Sequence, residues 1–161
     1  MQVQALTACF GIWPASRLGD DDIQLPDGAV FHTLRQQKAG KEVCLALADF
    51  VEPENGYVGA MQMAITGADE WAAELNDAAD PYNALLIAAV ANMLAEALAE
   101  CTQDVMETIW LPAGENCMVR PACGYPSQPD HAEKLTVFAE LDATARTGAT
   151  LTETYMMQPS A

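Results

Sequence analysis

The chain reads as an α+β protein, a single domain spanning residues 1–161, with strands first and one long helix late. Three observations predict this. Short alternating or apolar runs separated by turn residues fill most of the first 66 positions, as half-buried strands do. From Pro81 to Trp110 no Gly or Pro interrupts, so one helix can run throughout. No internal repeat, low-complexity linker or composition shift marks a domain boundary.

Each element follows in order. Residues 3–13 alternate loosely and predict a strand. Asp22 to Leu25 and Ala29 to Leu34 flank Pro26-Asp27-Gly28, an Asp-Gly turn signal for a hairpin. Cys44 to Phe50 is an apolar run that places Asp49 at a strand end. Tyr57 to Thr66 predicts another strand, and Asp69 to Asn76 a short helix. Asp80-Pro81 opens the long helix, with Asp as N-cap and Pro at the first helical position. Leu86, Val90, Met93, Ala97, Cys101 and Val105 recur at helical spacing and predict its buried stripe. Leu111 to Val119 reads as irregular. Asp130 and Glu133 have capping-box spacing for a helix to about Ala143. Thr150 to Met157 reads as a last strand.

Composition narrows the function. A chain of 161 residues can bury roughly 68–70% of its unfolded surface, enough for a real core. Seven Lys and Arg against 23 Asp and Glu give a formal net charge of −16. That balance excludes a nucleic-acid binder, which neutralises phosphates with basic side chains, and disfavours an anionic membrane surface. It suits solubility or a partner with a basic patch. The start, Met1 to Leu6, has no basic region of a secretion signal. The longest apolar run, Ala84 to Ala91, is too short to span a bilayer. Five cysteines, Cys9, Cys44, Cys101, Cys117 and Cys123, make an odd count with no Cys-x-x-Cys pair. Reduced thiols in a cytoplasmic protein, without a disulfide framework or metal site, are expected. His131 reads as part of a helix-capping segment, and His32 lies on a predicted strand without a partner motif.

The richest segment is Arg120-Pro121-Ala122-Cys123-Gly124-Tyr125-Pro126, followed by Pro129-Asp130-His131-Ala132-Glu133-Lys134. Arginine offers a planar fork for a carboxylate. Glycine lets a ligand approach the backbone, and proline holds a loop in shape. Past residue 80 the only cations are Arg120, Lys134 and Arg146, so an arginine here is a notable choice.

Arg-x-x-x-Gly-Tyr-Pro with Pro-Asp-His-x-Glu-Lys resembles the S-adenosylmethionine-binding reactivation domain of cobalamin-dependent methionine synthase. Further blocks are similar in the same order: Ile12 to Ile23, Leu34-Arg35-Gln36-Gln37, Leu47-Ala48-Asp49-Phe50-Val51, Tyr57-Val58-Gly59-Ala60, Asp80-Pro81-Tyr82-Asn83, Leu94 to Glu100 and Leu151-Thr152-Glu153-Thr154. The resemblance implies a bent antiparallel sheet flanked by helices. It also implies a function: presenting S-adenosylmethionine to a cobalt(I) corrinoid, so that an oxidised methionine synthase is methylated and returned to work. Cobalt(I) is already nucleophilic and the sulfonium already a leaving group, so the protein must position rather than act as acid or base. No catalytic side chain and no bound metal are therefore expected. The cobalamin belongs to a corrinoid-binding methionine synthase partner, and the electron comes from a flavodoxin-like reductant.

Carried over residue by residue, the donor-binding candidates are Asp49, Glu96, Arg120, Ala122, Gly124 and Tyr125. Arg120 suits the donor's carboxylate; its plainer reading is an ion pair with an acidic neighbour. Asp49 suits the amino group and the sulfonium charge; its plainer reading starts the turn before Glu52-Pro53-Glu54-Asn55-Gly56. Gly124 and Tyr125 read equally as ligand loop or as a turn with a core tyrosine. Glu96 matches a family glutamate near the site, whereas Glu100 and Asp104 read as a solvated acidic face. Departures are Cys123 in place of a family proline, the helix ending Cys101 to Met106, a shortened segment before Arg120, and a tyrosine hairpin expected beyond Ala161. Three readings stay open: a reactivation subunit acting in trans, a docking module that binds no donor, and an α+β domain turned to another small ligand.

Overall fold

The computed structural model describes residues 3–40, 42–111 and 118–160. The expectations on Met1-Gln2 and on most of the irregular 111–119 stretch, Cys117 included, lie outside the described residues. The elements are β1 (Ala5–Leu18), β2 (Asp22–Gln24), β3 (Val30–His32), a 3-10 turn (Leu47–Phe50), β4 (Gly56–Thr66), α1 (Ala68–Asp77), α2 (Pro81–Trp110), a second 3-10 turn (His131–Glu133), α3 (Lys134–Leu141), α4 (Ala143–Thr147), β5 (Thr150–Leu151) and β6 (Met157–Gln158). Four strands make one sheet in the order β3-β2-β1-β4, and β5 pairs with β6. The β1–β2, β2–β3 and β5–β6 pairings are antiparallel. The α+β class and the long helix are as the sequence predicts.

The chain divides into two compact units. The first takes the described residues of Met1–Phe10, Met61–Asn116 and Leu141–Ala161. The start of β1 and the end of β4 are tied by the N–H of Gln4, just before β1, to Thr66 O (2.8 Å) and by the Thr7 hydroxyl to Ala64 O (3.3 Å). Buried Gln62 accepts a hydrogen bond from the Thr147 hydroxyl at 2.7 Å. Ile65, Ala68 and Ala91 form a buried cluster, with Ile87, Leu94, Ala95 and Leu98 of α2 packed against it. Asp80 caps α2 by accepting from Asn83 N–H (3.2 Å), with Pro81 at the start as expected.

Helix α2 corrects the sequence reading in two ways. Its buried residues are Ala84, Ala91, Ala99, Thr102 and Met106, whereas Leu86, Val90, Met93 and Val105 of the expected stripe are exposed, Met93 at 72%. Ala97 and Cys101 are exposed too. Over its first half the helix carries no charge on any side, so periodicity there could not choose a face; small alanines set the close-packed side. The unbroken run Ala84–Ala91 also undercounts it. No charged residue stands between Pro81 and Ala95. An 18-residue window reaches mean hydropathy 1.7, so α2 is long and apolar enough to cross a membrane by length and composition.

The second unit takes the described residues of Gly11–Ala60 and Cys117–Glu140. Ala15, Ile23, Leu25, Phe31, Ala48 and Val51 form its core, with Trp13, Leu47, Val58 and Val137 against them. The β2–β3 hairpin closes as predicted: Gly28, at φ 96°, donates to Leu25 O, and Asp27 accepts from Ala29 N–H.

Four further expectations are corrected. β1 runs on through Pro14 to Leu18, because Pro14 precedes the pairing with β2 that begins at Ser16. The Cys44–Phe50 run ends in a 3-10 turn rather than a strand. Helix 130–143 is instead a 3-10 turn and two short helices, broken where Asp142 turns left-handed at φ 48°. Asp130 does cap its turn through Ala132 N–H (2.8 Å), but Glu133 does not close the box; its carboxylate accepts from His32 N–H at 2.9 Å. Finally, Thr150–Met157 is a hairpin, not a strand, with Tyr155 at φ 60° in its turn.

Candidate functional site

Five of the six candidates, Asp49, Arg120, Ala122, Gly124 and Tyr125, belong to the second unit; Glu96 belongs to the first. Local sequence explains how the five are held. The Leu47–Phe50 turn is anchored from both sides. Fully buried Thr33 donates its hydroxyl to Asp21 O (2.6 Å) and accepts from Ala48 N–H (3.0 Å). On the other side Leu47 N–H donates to Ser127 O at 2.9 Å. That single bond laces the Asp49 turn to the Gly-Tyr-Pro loop.

Asp49 itself meets Arg35, a residue to which the sequence reading gave no role. Arg35 Nη1 and Nη2 donate to the two carboxylate oxygens at 2.6 and 2.9 Å, the paired fork geometry of a strong ion pair. The remaining N–H groups reach Asp21 Oδ1 (3.0 Å), Cys44 O (2.7 Å) and Asp20 O (2.9 Å). Every donor of the guanidinium is thus directed at an acceptor. Asp49 also accepts from Ala46 N–H at 2.9 Å. The Arg35 fork, with help from the Ala46 amide, holds the Asp49 carboxyl down to about 2. Asp49 is therefore ionised, and its position is set by Arg35. The available signal was scarcity: Arg35 is one of only seven basic residues.

The loop is a pair of tight turns. Tyr125 N–H donates to Ala122 O (3.0 Å), Gly124 N–H to Gln128 O (2.8 Å) and Gln128 N–H to Tyr125 O (2.9 Å). Gly124 sits at φ 102°, and a Cβ there would overlap the His131 ring, so only glycine fits. Tyr125 is 63% exposed, which removes the core-tyrosine reading. Arg120, Ala122 and Gly124 are exposed as well. Burial pushes the Cys123 thiol above its ordinary value, which marks it as packing rather than nucleophile. Glu96 is exposed on α2, as are Glu100 and Asp104. Among the described residues no three His, Cys, Asp or Glu gather as a metal site. A groove of about 410 Å³, lined by Pro14, Ser16, Gln24, Pro26 and Asn55 among others, contains none of the six candidates.

These features define an α+β module that carries an exposed Arg-Gly-Tyr loop on a turn braced by an ion pair. Its relatives give the class a family. Residues 2–161 match the family described as the activation domain of vitamin B12-dependent methionine synthase, and the chain belongs to that family. The crystal structure of a MetH reactivation domain bound to AdoHcy superposes with TM-score 0.84 at 32% identity. That match covers 96% of this chain and 55% of the other, so the chain spans about half the length of this relative.

Proposed function

We infer that the protein is a reactivation subunit that binds S-adenosylmethionine for the reductive methylation of an oxidised corrinoid, working in the cytoplasm with a cobalamin-carrying methionine synthase subunit. The observation that carries this reading is the Leu47–Ser127 hydrogen bond. It joins two blocks with matching family counterparts, one holding an ionised carboxylate and the other a cation and an exposed ring. The AdoHcy in the related structure supports the same ligand class.

The residues fit the amino-acid end of such a ligand. Arg120 would take the carboxylate, and Asp49 the ammonium through lone pairs that Arg35 and Ala46 leave over. Tyr125 and the Ala122–Gly124 backbone would carry the sulfonium and sugar side. When bound, the sulfonium supplies the methyl group for cobalt(I), while a flavodoxin-like reductant provides the electron. The chain's own contribution is orientation in a braced loop, with no side chain taking or giving a proton.

Titration calorimetry with S-adenosylmethionine tests this. Arg120→Ala is expected to weaken binding by about 1.5–3 kcal/mol, the worth of a charge-assisted bond. Equal affinities would remove Arg120 from the site. One observation favours a second reading: both Asp49 oxygens already serve Arg35. A wild-type protein that binds the corrinoid partner but not the donor would make it a docking module instead.

A further inference from the structure

Helix α2 lies wholly in the first unit and buries only its alanine-rich side. The opposite side follows coiled-coil spacing, with steps of four and three residues. Tyr82, Leu86, Ala89 and Met93 occupy its first two heptads, and Tyr82 and Met93 are 75% and 72% exposed. Beyond them the same line turns polar and acidic: Glu96, Glu100, Gln103 and half-buried Glu107 continue the spacing, Gln103 Nε2 donating to Glu107 Oε1 at 2.8 Å, with exposed Asp104 beside them. No Lys or Arg occurs anywhere in α2. An apolar seam that long is costly to leave in water, and its division into an apolar and an acidic half specifies what covers it.

We propose that this face is a docking surface for an amphipathic helix of another protein whose seam is apolar over two heptads and rich in lysine or arginine over the next two. Charge complementarity argues for this occupant over a second copy. The acidic half of α2 repels its own kind, and the whole chain carries −16. The same charge disfavours anionic lipid. Apolar contact would supply most of the affinity and the basic–acidic half the orientation.

The test uses the full chain and two labelled synthetic helices of about four heptads, leucine then lysine along the seam in one and the reverse order in the other. One of the two is expected to bind, with affinity falling as salt rises. Leu86→Lys with Met93→Lys should abolish binding. Glu100→Lys with Asp104→Lys should weaken it roughly tenfold and transfer preference to a peptide with glutamate in place of lysine. Unchanged circular dichroism would show that these exposed positions leave the fold intact. Failure of both peptides to bind, or binding indifferent to the face variants, would overturn the proposal. So would a wild-type dimer in sedimentation that Met93→Lys dissociates, or flotation of the chain with phosphatidylcholine vesicles.

Discussion

The 47–50 turn and helix α2 both announce themselves as apolar runs, yet they are positioned by opposite means. The turn is fixed by polar contacts: the Arg35 fork on Asp49, the Thr33 hydroxyl and the Ser127 carbonyl. The helix is fixed by apolar packing: Ala91 sits against Ile65 and Ala68 with Ile87, Leu94 and Leu98 around them, while Leu86, Val90 and Met93 stay outside. Directional bonds specify one arrangement each, whereas apolar contact specifies only which side is narrow enough. Charge in the wrong place should therefore unfold the helical region, while the turn should respond to pH.

The largest effect is expected on the helix. Ala91→Asp places an unpaired charge against Ile65 and Ala68 and should cost about 3–5 kcal/mol, whereas Met93→Asp on the exposed side should stay within about 0.5 kcal/mol. Urea melts of both variants distinguish the faces, and equal midpoints would reverse the comparison. Next comes the loop. Gly124→Ala forces a Cβ into a left-handed residue and onto the His131 ring, at a cost of about 1–3 kcal/mol. Adding His131→Ala should relieve the overlap but not the backbone strain, so recovery should be partial.

How legible these features were depends on how far away the partner lies. The Asp27-Gly28 turn and the Asp80-Pro81 cap were readable because both partners sit within a few residues. The family blocks around Asp49 and Arg120 were readable as residue patterns. Arg35 was not assigned, since its partners spread from Asp20 to Asp49 and nothing local demands them. Glu133 was misread for the same reason: its acceptor serves His32, 101 positions away. The helix face escaped because no charged residue marks an outer side over Pro81–Ala95.

The smaller predictions test the polar half of the comparison through pH. Asp49 has a depressed folded value, about 2 against an ordinary 3.8. Its stabilisation is fully present above the unfolded value and is lost as pH falls from about 4 towards 2. Asp49→Asn should lower the thermal midpoint at neutral pH and flatten that acid limb. A limb as steep as in wild type would assign the acid response elsewhere. Glu133 carries the opposite sign. Burial raises its carboxyl above 4.5, so its folded form loses stability as pH rises through the raised value. Glu133→Gln keeps an acceptor for His32 and sheds the buried charge. It should gain a small amount of stability at pH 7, within about 1 kcal/mol, and nothing in acid. A loss at pH 7 would mean that the charge is needed by the bond.

The Leu47–Ser127 bond has a spectroscopic consequence. One amide proton bridges the carboxylate turn and the arginine loop, so its exchange with heavy water reports how often they separate. In a nitrogen-resolved spectrum the Leu47 cross-peak becomes a clock for the site. It should fade in proportion to the fraction of time the two blocks spend apart, and a ligand gripping both would slow that fading without having to touch Leu47.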